Sequence, residues 1–366
     1  MVGYALSMQR REFLKASALA GSAAAVGTAI HAAELGTTPR DANLPVPHAA
    51  LKPKRLEPGD TVGLVAPASA IYQDVEVDVA RESLEGLGLK VKIGQHLRDK
   101  HGYLAGADKA RAEDINKFFK DDGVSGVIAI RGGWGSARLL PHLDYDEIRK
   151  NPKVLLGYSD ITALHNAIQA KTGLITFHGP VGLGRWDAWS VDWLKRVLFN
   201  GEAVTMANKK DLSDRNSLTQ VDNRTRTITA GKVRGKMMGG NLTVLTAILG
   251  SSYVPDYSGS ILFLEDVQEN LYRIDRMLTS LKLAGVLDKA RGVVFGTCSQ
   301  CGPGNDNYAA LTMEEILADH VKSLGVPAWQ GAMIGHDTPQ WTVPFGLDVE
   351  IDAAACTVTM SEAAVL

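Results

Sequence analysis

From residue 61 onward, apolar and polar positions alternate between two rhythms. Thr61-Val-Gly-Leu-Val-Ala66 is a short continuous apolar run, as in a buried strand, and Val75 to Leu87 repeats its apolar residues at helical spacing. Leu89-Lys-Val-Lys-Ile93 reads as a second strand, Ala107 to Lys120 as a helix with a polar face, and Val124 to Ile130 as a third strand. Val154-Leu-Leu156 makes a fourth strand, and Ile161, Leu164 and Ile168 recur at helical spacing behind it. Such alternation predicts an α/β fold: a doubly wound, mostly parallel sheet with helices on both faces. A polar stretch over 201–226 predicts an interdomain linker, dividing an N-terminal domain at 59–200 from a second, smaller α/β domain at 227–366. In that second region Thr227 to Gly235 reads as a strand and Gly239-Gly-Asn241 opens a helix. Ser260 to Leu264 reads as a buried strand ending at Glu265, and Leu271, Ile274, Leu278 and Leu281 form a helical stripe within Asn270 to Ala284. Further strands are expected around Gly292 to Gly296 and Ala332 to Gly335.

Residues 1–33 follow neither rhythm. Arg10-Arg11-Glu-Phe-Leu-Lys15 precedes a weakly apolar run rich in alanine and glycine, with small residues at Ala32 and Ala33. This is the layout of a twin-arginine export signal, followed by a linker at 34–58, and it predicts a periplasmic protein. The run is too short and glycine-rich for a good membrane-spanning helix, so no integral membrane segment is expected in the mature chain.

Composition narrows the function. The 366 residues suit two domains, and 45% hydrophobic with 22% charged residues is ordinary for a globular protein with a large core. A formal charge of −2, from 39 basic and 41 acidic residues, implies no polyanion-binding face and argues against nucleic acid as a partner. Cys298 and Cys301 have C-x-x-C spacing without a second pair, so a structural role, including a local disulfide, is expected and a zinc site is not.

The candidate chemistry centres on Gly157-Tyr-Ser-Asp160, a sharp turn between a strand and a helix. A serine there sits as in a nucleophile elbow, its hydroxyl exposed and helix N–H groups beside it. The second glycine of the usual G-x-S-x-G pattern is replaced by Ile161, and Ser-Asp before an apolar run is also ordinary helix capping. A nucleophilic serine needs a base and an orienting carboxylate. His178 and His336 both follow strand-like segments, and Glu265 and Asp266 both stand at a strand end; spacing alone does not choose among them. His165, on the helix, is expected to point away from the elbow into packing or solvent. Arg131-Gly-Gly-Trp-Gly-Ser136 leaves the third strand at the same sheet edge as Ser159, where ligands of open α/β sheets bind. It lacks the lysine or ribose-binding acid of a phosphate loop.

Taken in order, Arg131-Gly-Gly-Trp-Gly-Ser136, Gly157-Tyr-Ser-Asp160, Gly239-Gly-Asn-Leu242, Leu264-Glu-Asp-Val-Gln-Glu269, Tyr272-Arg-Ile-Asp-Arg276 and Gly335-His336 resemble the LD-carboxypeptidase family of serine peptidases, which also holds microcin-immunity peptidases. The resemblance runs from about residue 60 to 346. It implies Ser159 as nucleophile, His336 as base and Glu265 as orienting carboxylate, in a cleft between the two domains. It further implies a homodimer and release of terminal D-alanine from a muropeptide tetrapeptide, without metal or cofactor. The N–H of Asp160 and that of Gly132 or Gly133 are the expected oxyanion donors, with Arg131 receiving the substrate carboxylate and Trp134 lining the cleft. Two other readings remain: a serine esterase or amidase of different substrate class, microcin-like amides included, and a periplasmic binding protein for cell-wall fragments.

Overall fold

The computed structural model describes residues 50–209, 219–220, 224–304 and 310–366. The export signal, most of the linker at 34–58 and parts of 201–226 lie outside the described residues.

The elements follow one another as β1 (Thr61–Val65), α1 (Asp74–Gly86), β2 (Lys90–Ile93), α2 (Asp108–Lys120), β3 (Gly126–Ala129), α3 (Tyr145–Lys150), β4 (Val154–Gly157), α4 (Thr162–Thr172), β5 (Thr176–His178) and α5 (Ala188–Leu194). Then come β6 (Thr205–Met206), β7 (Arg226–Thr229), β8 (Lys232–Asn241), α6 (Leu242–Ile248), β9 (Ile261–Val267), α7 (Leu271–Leu283), α8 (Val286–Lys289), β10 (Gly292–Ser299), α9 (Met313–His320), β11 (Ala328–Gln330), β12 (Val343–Phe345), β13 (Asp348–Asp352) and β14 (Thr357–Met360).

Two sheets result. The first has the order β12-β5-β4-β3-β1-β2, with β1 to β5 all parallel and β12 antiparallel at one edge. Its central strands are apolar on every residue because helices cover both faces, and β3 and β4 are buried throughout. The second sheet is mixed, in the order β6-β14-β13-β8-β9-β10-β11-β7, with a parallel core of β8 to β11 flanked by antiparallel strands. Parallel strands align their carboxyl ends, so the loops after β1, β2, β3 and β4 share one edge.

Local chemistry explains the helices. In α1, Val77, Ala80 and Leu84 are buried on one side, and Glu76 accepts from the backbone N–H of Gln73 at 3.2 Å to close its first turn. α4 is buried nearly all round and ends at Gly173, which adopts the left-handed conformation with φ of 76°. α7 buries Leu271, Ile274, Met277, Leu278 and Leu281, the expected stripe. α6 starts at Asn241, whose side chain accepts from the N–H of Val244.

Three sequence expectations need correcting. Thr227 to Gly235 is not one strand: the chain breaks at Gly231, with φ of 141°, and β7 and β8 lie far apart in the second sheet. Ala332 to Gly335 is not a strand either. The strand is β11, and the chain leaves it at Gly331 to run irregularly toward His336, with the Ile334 carbonyl accepting from Thr297 N–H at 2.8 Å. β9 does not stop before Glu265 but continues to Val267, so Glu265 lies within the strand and is fully buried. Hydrophobicity marks where a strand is buried, and charged residues inside a strand conceal its true end.

Candidate active site

The turn after β4 carries a backbone feature that hydrophobic periodicity does not reveal. Ser159 has φ of 62°, the left-handed region that a non-glycine residue adopts at a cost of roughly 1–3 kcal/mol. A single 3₁₀ turn, Ser159–Ile161, joins it to α4. Gly157 makes the bend fit, because a Cβ there would stand 2.9 Å from Ile161 Cγ1 and 3.2 Å from Ala129 Cβ. The side chain that replaces the second glycine of the usual elbow therefore fills the space left by the first, and Ile161 is fully buried.

His336 meets this serine from the irregular segment after β11. Its Nε2 is 2.9 Å from Ser159 Oγ and its Nδ1 is 2.8 Å from Glu265 Oε2. Tyr158 lies edge-on to the imidazole, ring centroids 4.9 Å apart at 68°, and fixes the ring plane from the elbow side. Burial drives the His336 pKa down, but the hydrogen bond that His336 donates to Glu265 and the charges of Glu265, Asp266 and Asp337 outweigh it, so the His336 pKa is raised above the ordinary histidine value. Ser159, His336 and Glu265 thus form one hydrogen-bonded chain.

The other titratable candidates stand elsewhere. His178 is buried on β5 against Phe263 and Tyr158, with no hydrogen-bond partner among the described residues. Burial and the nearby His165 and His336 hold its pKa well below the usual value, so it is a neutral core histidine. His165 is packed in the core, as one of the two expectations had it, but it does not point away from the elbow. Its ring spans Gly157 O and Thr176 Oγ1, both at 2.8 Å, and ties the last residue of β4 to β5; burial pushes its pKa to about 4. Asp266 faces away from His336's ring bond, accepting from Asn241 Nδ2 at 3.1 Å, Thr243 N at 3.0 Å and Thr243 Oγ1 at 2.9 Å. It anchors the Gly239-Gly-Asn241 turn beside Glu265.

The Arg131-Gly-Gly-Trp-Gly-Ser136 loop lies against the elbow. A Cβ on Gly132 would sit 3.0 Å from Ser159 Cβ and 3.4 Å from Asp160 N, so the two segments are in backbone contact. Asp160 clamps them: it is fully buried, its carboxylate accepts from Ser136 N at 2.7 Å, and its carbonyl accepts from Ser136 Oγ. Burial pushes the Asp160 pKa up to about 6, against the opposing pull of Ser136 and Arg111. The sequence alone marked Asp160 as a helix cap or an N–H donor and gave no sign of this clamp. Gly133 has φ of 110° and faces Ser69, whose Oγ accepts from Trp134 N at 3.2 Å. Arg131 lies 3.6 Å from Glu76 and is partly exposed, and Trp134 is 42% exposed. Trp341, by contrast, is buried in the core with Trp193 and Trp329.

Two family domains match the chain: the LD-carboxypeptidase N-terminal domain at residues 62–179 and the LD-carboxypeptidase C-terminal domain at 234–351. The chain belongs to the LD-carboxypeptidase family. Within that family it is 40% identical to a probable murein peptide carboxypeptidase of Bacillus subtilis, over 84% of this chain and 94% of the relative. Its fold matches the solved structure of MccF in complex with glutamyl sulfamoyl guanosine, with a TM-score of 0.78 and 27% identity over 86% of this chain and all of that one. It also matches the muramoyltetrapeptide carboxypeptidase of Oxalobacter formigenes, with a TM-score of 0.69 and 27% identity over 82% of this chain and 97% of the other. The N-terminal family domain includes Ser159 and the C-terminal one includes Glu265 and His336, so the hydrogen-bonded chain joins the two. Among the described residues no cluster of metal-ligating side chains occurs and no helix is long and apolar enough to cross a membrane.

Proposed function

We propose that the protein is a serine L,D-carboxypeptidase that releases the terminal D-alanine from murein tetrapeptides, with Ser159, His336 and Glu265 as its triad. The observation that carries this reading is the continuous hydrogen bonding of Ser159 Oγ to His336 Nε2 and of His336 Nδ1 to Glu265 on a strained elbow. Its relatives supply the substrate class, being named for murein peptides and muramoyltetrapeptide. In the first step His336 takes the Ser159 proton as Oγ attacks the carbonyl of the scissile L,D bond. Buried Glu265 holds the Nδ1–H tautomer and stabilises the imidazolium that forms. His336 then gives the proton to the departing D-alanine amine, and water repeats the sequence on the acyl-enzyme. The N–H groups of Asp160 and of Gly132 or Gly133 receive the oxyanion, each worth about 3 kcal/mol of transition-state stabilisation. Arg131, at the mouth beside this loop, takes the free carboxylate that distinguishes an exopeptidase substrate, exchanging its long contact with Glu76 for a bidentate one.

The reading extends to a homodimer exported to the periplasm by the twin-arginine segment. The likeness to MccF brings a second compound into the same assay, since MccF was solved in complex with glutamyl sulfamoyl guanosine. The test is a side-by-side digestion of tetrapeptides ending in D-alanine or L-alanine and of glutamyl sulfamoyl guanosine. The proposal expects cleavage of the D-alanine peptide by far the fastest. Preferential cleavage of the nucleoside would move the protein to the immunity branch, and hydrolysis of simple esters alone would make it an esterase.

A further inference from the structure

Beyond Ser159, the carboxyl edge of the first sheet carries a row of solvent-facing aromatic rings. The strand order sets the row: β4 leads to Ser159, its neighbour β3 to Trp134, β1 to Tyr72, and the edge strand β2 to Tyr103. Trp134 is 42% exposed, Tyr72 61% and Tyr103 58%. A single exposed aromatic needs no explanation, but these three sit on loops fastened to one another. Ser69 N donates to Gly132 O at 3.3 Å, Ala70 N to Tyr103 O at 2.9 Å, and the Tyr72 hydroxyl to Gly102 O at 3.2 Å. Glu76 accepts from Tyr72 N at 3.2 Å and lies 3.6 Å from Arg131, which links the outer loop back to the glycine loop after β3 that packs on Ser159.

At the outer end the row opens on a cleft of about 480 Å³ lined by Asp99, Lys100, His101, Asp108 and Arg138. Lys100 Nζ stands 5.4 Å over the Tyr72 ring, so ring and cavity are continuous. Flat apolar faces bordering a cleft of charged donors and acceptors suit a pyranose, whose C–H faces stack on rings while its hydroxyl and acetamido groups hydrogen-bond. Distance agrees. Neighbouring strands lie about 4.8 Å apart, which puts the β1 and β2 loops roughly 10–14 Å from the nucleophile's loop. A tetrapeptide stem has three residues between the scissile bond and its sugar, and these span about 10–11 Å when extended.

We propose that Tyr72, Tyr103 and the cleft at Lys100 and Arg138 form an amino-sugar subsite, so that the substrate is a glycan-bearing peptide rather than the bare tetrapeptide. The substrate half of this inference rests on the carboxypeptidase reading; the sugar site does not. The test is calorimetric titration with the peptide-free disaccharide of N-acetylglucosamine and N-acetylmuramic acid, on the full-length protein and on Tyr72→Ala/Tyr103→Ala. Saturable binding is expected, weakened about tenfold or more by loss of the two rings, with an unchanged thermal midpoint showing that the variant folds. In kinetics, the ratio of kcat/KM on disaccharide tetrapeptide to that on free tetrapeptide falls by a similar factor, through KM. Absence of disaccharide binding, or binding equal in both proteins, would overturn the subsite. Altered sedimentation of the variant with disaccharide binding intact would make the row a subunit contact and overturn it too. Disaccharide binding by a protein that cleaves neither peptide would uphold the subsite and sink the carboxypeptidase reading instead.

Discussion

Ser159 holds a left-handed backbone because Gly157, Ile161 and the Gly132 loop leave it no other path. Its strain is local, which gives a direct check: Ser159→Gly should unfold at higher urea than Ser159→Ala, by about 1 kcal/mol, although both lack the hydroxyl. Equal stabilities would mean the backbone relaxes out of the left-handed region once the side chain is gone. His336 supplies the pH dependence. As a base it must be neutral, and its pKa lies above the ordinary value, so kcat/KM falls as pH drops through that raised value, above about 6.5. Glu265→Gln removes the main upward influence, so the acid limb should move to lower pH while kcat drops by about 10³–10⁴. A limb that stays in place would show that another group titrates. Asp160 has the opposite kind of consequence, in stability. Its folded pKa of about 6 exceeds the unfolded value near 3.9, so its contribution is present at low pH and lost as pH rises between about 4 and 6. Asp160→Asn, which keeps an acceptor for Ser136 N, escapes that loss, and urea midpoints across this window should shift in favour of the variant as pH rises. A pH-independent difference would contradict the buried, ionisable clamp.

Among the elements, burial made β1, β3, β4, α1, α2 and α7 legible, because each buries one face or both, while the edge strand β2 was legible from the alternation of its residues alone. The residues around His336 were not legible. Ala332 to Gly335 is apolar because it is buried alongside the end of β10, yet Gly331 and Gly335 both take positive φ and no ladder forms there. Likewise Thr227 to Gly235 alternates smoothly through Gly231, where the chain leaves one edge of the sheet for its middle. His178 and His336 looked alike in sequence; only the tertiary contacts bury one and give the other its two partners. The β8–β9 pair is the element on which the site depends, since it brings Asn241 opposite Glu265. Gly239 sits at this pairing with φ of 138°, and a Cβ there would meet Phe263 O at 1.9 Å. Gly239→Ala should therefore cost about 3 kcal/mol or more in denaturant unfolding and lower kcat by displacing Glu265. A loss below about 0.5 kcal/mol would show that the strands separate freely.

At the scale of the molecule, the two sheets are not independent. β12 follows the second sheet's parallel core in sequence but pairs with β5 of the first, and one continuous apolar core includes Val62, Phe177, Phe263 and Val349 from both. Far-ultraviolet and near-ultraviolet signals should consequently report a single coincident unfolding transition; two separated transitions would contradict a shared core. This coupling places Ser159 of one family domain within hydrogen-bond reach of His336 of the other, and the aromatic row extends from the same edge. The central claim is that Ser159 cleaves an L,D-peptide bond with His336 and Glu265 as partners. Its most direct test is mass spectrometry of a disaccharide tetrapeptide incubated with the protein, with Ser159→Ala and with Glu265→Gln. Loss of one D-alanine is expected with the unaltered protein, none with Ser159→Ala and a trace with Glu265→Gln; release of D-alanine by Ser159→Ala at an undiminished rate would contradict the role given to Ser159.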